Sequence, residues 1–75
     1  MLQKATFYKS GIKLIIITWD NDDVIENVEY FDYFLEDYVT DFSLLIKIEN
    51  SSDYQKIERK EFVKYLDFYR RFSLN

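Results

Sequence analysis

The chain has 75 residues, with fourteen Asp and Glu against ten Lys and Arg, for a net charge of −4. It has no histidine, cysteine or proline and one glycine, which excludes imidazole or thiol catalysis, zinc–thiolate sites, disulfide frames and haem ligation. A single domain, residues 1–75, is expected at this length, with no enzymatic activity, cofactor or metal.

What remains is 48% hydrophobic and 20% aromatic, a globular composition in which Phe and Tyr supply much of the area to be buried. The longest wholly apolar stretch, residues 14–17, is far short of the roughly 18 to 20 residues that span a bilayer. No secretory pattern opens the chain, so a soluble cytoplasmic protein without a membrane partner is expected. So short a chain gains only about 3 to 5 kcal/mol from its own core, which makes a homodimer the default expectation.

Residues 4–9 and 12–19, rich in Ile, Phe, Tyr and Thr, flank Ser10-Gly11 and predict a hairpin, with the only glycine supplying positive φ. The second strand carries Ile12, Leu14 and Ile16 on one face and Ile15, Ile17 and Trp19 on the other. Both faces are therefore covered and the strand is central. Asp20-Asn21-Asp22-Asp23 breaks it, and Asp23 with Glu26 has the spacing of a capping box, predicting a helix over residues 24–39. On that helix Val24, Ile25, Val28, Phe31, Phe34, Leu35, Tyr38 and Val39 fall within an arc of about 180°. Glu26, Glu29, Tyr30, Tyr33, Glu36 and Asp37 lie outside it.

Phe42, Leu44, Ile46 and Ile48 alternate with Ser43, Leu45, Lys47 and Glu49, the period of a third strand. Residues 54–57 fit either a helix capped by Ser52 or a short strand, and both readings lead to a helix over 59–72. On it Phe62, Val63, Tyr65, Leu66, Phe68, Tyr69 and Phe72 spread over about 220°, wider than one packing face needs. The expected fold is α+β: a small antiparallel sheet, built of the N-terminal hairpin plus one or two further strands, packed by two helices in the order ββαβα or ββαββα.

Charge is segregated along the chain. Residues 20–41 hold nine acids and no base, while residues 1–19 are +3 and residues 42–75 are +2. A helix stabilised for its own sake mixes signs at i,i+4, where an opposite pair gains about 0.2 to 0.5 kcal/mol and a like pair loses as much. Glu29 with Asp37 on one stripe and Asp32 with Glu36 do the reverse. The expectation is a partner surface of Glu26, Glu29, Tyr30, Tyr33, Glu36, Asp37 and Asp41 that meets a basic, nucleic-acid-binding host protein.

Other constellations are weaker. Asp20-Asn21-Asp22-Asp23 opens like a calcium loop, but Val24, Ile25 and Phe31 stand where ligands and a turn glycine belong. Asp53, Glu58 and Lys60 make only a loose nuclease-like triplet. Lys60, Lys64, Asp67 and Arg71 align on one stripe of the last helix, with Arg59 and Arg70 nearby, yet Asp67 and Arg71 make a favourable i,i+4 pair and no direct nucleic-acid binding is expected at this pI.

In kind, a short, acidic, cysteine-free chain whose composition has the bias of AT-rich coding, with acids and tyrosines over residues 20–41, resembles the small inhibitors of phages and mobile elements, such as anti-CRISPR, anti-restriction and uracil-DNA glycosylase inhibitor proteins. The resemblance carries no functional residue across, and the basic last helix departs from it. It implies a non-enzymatic inhibitor that blocks a basic surface. The alternative is an interaction or oligomerisation module, such as an antitoxin or assembly factor, with a dimer face of Tyr65, Tyr69 and Phe72.

Overall fold

A computed structural model describes residues 4–73. The elements are β1 (Lys4–Ser10), β2 (Lys13–Trp19), β3 (Ile25–Asp32), β4 (Asp37–Thr40), α1 (Leu44–Asn50), β5 (Gln55–Ile57) and α2 (Arg59–Ser73). The five strands form one sheet in the order β4-β3-β2-β1-β5, with every neighbouring pair antiparallel. The chain is α+β with two helices, as expected, but its order is ββββαβα.

The first hairpin forms with its turn one residue later than predicted. Ser10 pairs with Lys13, so Gly11 and Ile12 make the loop, and Gly11 takes φ of +59°. β2 lies at the centre of the sheet and is covered on both sides. Ile15 and Ile17, with Val28 of β3, are buried against Leu44 of α1. On the other face Leu14 and Phe7 are buried against Phe62 of α2, with Ile16, Tyr65, Leu66 and Tyr69 packed around them. The alternation of strand side chains thus gives each helix its own half of the core.

Two predicted elements exchange type. The helix over residues 24–39 is instead the β3–β4 hairpin, in which Tyr30 pairs with Val39 and Phe31 with Tyr38. Its residues are predominantly β-branched, aromatic or acidic, and the strand buries Val28 on one face of the sheet and Phe31 on the other. Asp23 caps no helix. The turn is organised by Asp20, whose Oδ1 accepts from the backbone N–H of Asp22 at 2.9 Å and of Val24 at 3.0 Å.

The strand expected over residues 42–48 is helix α1. Leu44, Leu45 and Ile48 meet the sheet from one side of it, while Ile46 is exposed. Ser43 is the N-cap of this helix, and Asp41 braces the turn before it by accepting from the Ser43 N–H at 3.0 Å and the Ser43 hydroxyl at 2.5 Å. Residues 55–57 are strand, pairing Phe7 with Ile57. Glu58 precedes α2, and Glu61 Oε1 accepts from its N–H at 3.2 Å, the returning half of a capping box.

Candidate interaction surface

Because residues 25–40 form a hairpin, the expected helix face of acids and tyrosines does not exist. Glu29 lies on the α2 side of the sheet with Phe31, whereas Tyr30 lies on the α1 side, where Lys13 Nζ sits 4.7 Å from its ring centroid. The register slips at Thr18–Trp19 and puts an extra residue, Glu26, into β3 near the far end of the sheet. Asp41 lies beyond β4 and is engaged by Ser43. Only Tyr33, Glu36 and Asp37 come together, at the β3–β4 tip.

That tip is tied down from several sides. Asp32 Oδ1 accepts from the N–H of Phe34 at 2.9 Å and of Leu35 at 3.0 Å, while Glu36 takes a left-handed φ of +53°. Glu36 meets Arg70 of α2 at 3.3 Å, and the Arg70 guanidinium also stands 5.6 Å from the Phe31 ring centroid. The Tyr33 hydroxyl donates to the carbonyl of Ile12. Burial, aided by Tyr69 and Tyr38, pushes the Tyr33 phenol up to about 12. Burial and then the Glu29 carboxylate raise Tyr38, with Arg70 pulling the other way.

A chain of aromatic rings runs across this end of the molecule. Tyr65 stacks on Tyr69 at 5.8 Å, Tyr69 meets Tyr33 edge-on at 6.4 Å, and Tyr33 meets Phe31 at 5.3 Å. The expected dimer face therefore divides. Tyr65 and Tyr69 turn inward, and Lys9 Nζ caps their rings at 5.0 and 6.0 Å from the centroids. Phe72 turns outward with Phe68, the two rings 4.8 Å apart.

The consequence is an apolar concavity of about 430 Å³ lined by Ile12, Tyr33, Phe68, Tyr69 and Phe72. It shares Phe68 and Tyr69 with a second hollow toward Lys64 and Tyr65, and Ile12 and Tyr33 with a third toward Tyr30 and Phe34. The first two make a groove along α2, and the third, which Phe34 itself helps to line, adjoins it at Ile12 and Tyr33. Beside it stands Phe34, 95% exposed at the hairpin tip, with Leu35 at 60%. Within it Ile12, Phe68 and Phe72 are 62%, 54% and 66% exposed. Sequence reasoning placed Ile12 on a strand and Phe34 and Leu35 in a helix core; a tip between two strands was the arrangement that would have found them.

The basic stripe of α2 is partly engaged by its own molecule. Arg71 pairs with Asp67 at 3.0 Å, Lys60 approaches Glu58 at 3.9 Å, and Arg70 is held as described. Among the described residues no group of three or more acids is placed to hold a metal ion, and no helix is long and apolar enough to cross a membrane. Compared with protein-family models, with curated proteins and with solved structures, the chain finds no match in any of the three.

Proposed function

We propose that this chain is a non-enzymatic binding protein that engages a partner protein through the apolar groove and the Phe34 tip. The observation that carries the reading is the run of exposed apolar side chains from Phe68 and Phe72 across Ile12 to Phe34, in adjoining hollows. Those three phenylalanines with Ile12 and Leu35 expose about 600 Å², at the top of what a monomer ordinarily leaves to water. Their partner would have an apolar surface with basic groups placed to meet Asp32 and Asp37, which flank the tip; Glu36 is already paired with Arg70. An inhibitor of the phage or mobile-element kind would act in this way by covering a working surface of a host protein.

The test is capture of a partner from host lysate with the full chain as bait. Phe68→Ser with Phe72→Ser should abolish capture with the circular dichroism spectrum unchanged, since both side chains point to solvent. Glu26→Lys with Glu29→Lys should leave it intact. Capture that survives the aromatic change but is lost on the charge reversal, and that falls steeply with salt, would instead support an acidic surface acting on a basic protein.

A further inference from the structure

We infer that the groove is filled by a second copy of this chain, in a two-fold exchange in which Phe34 of each molecule enters the groove of the other. The inference rests on the proposed role of the groove: in the free protein a second copy occupies the surface for which a host partner would compete. The knob and the groove are adjacent on one molecule, joined through Tyr33, which is the condition for a self-complementary contact about a two-fold axis. Charge agrees with exchange. Asp32 and Asp37 stand at the base of the knob, with Glu36 already paired to Arg70, while Lys64 lines the α2 end of the groove and Lys9 stands over the Tyr65 and Tyr69 rings there. Opposed copies would bring unlike charges together.

The area also fits. About 600 Å² of exposed apolar side chain per copy, with the charged rims added, approaches the roughly 800 Å² per partner of a standard interface. Neither surface is closed by the molecule itself: Phe34 keeps 95% of its area in water although its neighbour Tyr33 lines the groove.

Sedimentation equilibrium of the full chain between about 1 and 200 µM should give a monomer–dimer equilibrium in the micromolar range. Phe34→Asp should weaken it by about 30-fold or more, as loss of a central aromatic anchor does. A photo-cross-linking phenylalanine analogue at position 34, in a mixture of isotopically labelled and unlabelled chains, should link to residues 12 and 68–72 of the other copy. A monomer throughout the range, a dimer indifferent to Phe34→Asp, or cross-links that fall elsewhere would overturn the exchange. A monomer that still captures a host protein through Phe68 and Phe72 would separate this failure from that of the binding role itself.

Discussion

The phenol of Tyr33 donates to the backbone carbonyl of Ile12, tying the tip of the β3–β4 hairpin to the tip of the β1–β2 hairpin. Tyr33→Phe should cost about 0.5 to 1.5 kcal/mol, the net worth of one hydrogen bond. The ionisation of Tyr33 is raised from 10.0 to about 12, so the folded state holds its proton more tightly than the unfolded chain. That contribution is complete below pH 10 and is lost as pH rises toward 12. Ultraviolet titration should find a tyrosine ionising near pH 12 that is missing from the variant.

Asp41 behaves in the opposite sense. The Ser43 hydroxyl is the main cause that holds its carboxyl below the usual 3.8; desolvation, next in size, opposes it, and the Ser43 N–H, Lys47 and Lys13 add further lowering. Its stabilising contribution is present above that value and disappears as pH falls through the lower folded-state value. Asp41→Ala should lower Tm at neutral pH, and the gap from the parent should close in acid. Thermal melts at several pH values check this, with Asp41→Asn falling between the two.

Gly11 sits at φ +59° with open space where a Cβ would go. Gly11→Ala therefore meets no clash and carries only the backbone penalty, about 1 to 2 kcal/mol. Urea unfolding should show the midpoint lowered at unchanged slope.

Asp32 and Asp37 stand directly opposite each other across the β3–β4 ladder. Asp37→Asn removes the like-charge contact while leaving an oxygen for the Tyr38 N–H, which now bonds Asp37 Oδ1 at 2.7 Å. A gain of about 0.2 to 1 kcal/mol is expected, shrinking with added salt.

Leu44 is the one buried residue of α1. Leu44→Ala should cost about 2 to 5 kcal/mol, comparable to the whole stability of a chain this size, and should abolish cooperative melting. Leu35→Ala, at the exposed tip, should change stability by no more than about 0.5 kcal/mol.

The parts legible in the sequence are those with one dominant signal. Gly11 between two β-rich runs marked the first hairpin, and Leu14 to Ile17 marked β2 as covered on both faces. The 3.6-residue pattern of Phe62, Leu66 and Tyr69 marked α2. Residues 24–39 misled because apolar residues spaced for a helix also alternate locally, as in Val28 and Tyr30 against Asn27 and Glu29. The like charges at i,i+4, which look like a sacrifice of helix stability to binding, are a local argument against the helix itself. In α1, seven residues are too few to separate a period of two from one of 3.6. The acidic tip was half legible: Tyr33, Glu36 and Asp37 do gather, but the groove they border needed α2 to cross the sheet, a long-range event with no local mark.

Both outer strands are short, four residues in β4 and three in β5, and the Tyr38 N–H on β4 is taken up by the neighbouring Asp37 carboxylate. Edges so brief give an incoming strand little to zip onto, so lateral growth into fibrils is disfavoured. Attachment at the sheet's end, if reciprocal, closes on itself after two molecules and leaves nothing over for a third. On the proposed exchange, a chain with this much exposed phenylalanine would stay dispersed at high concentration.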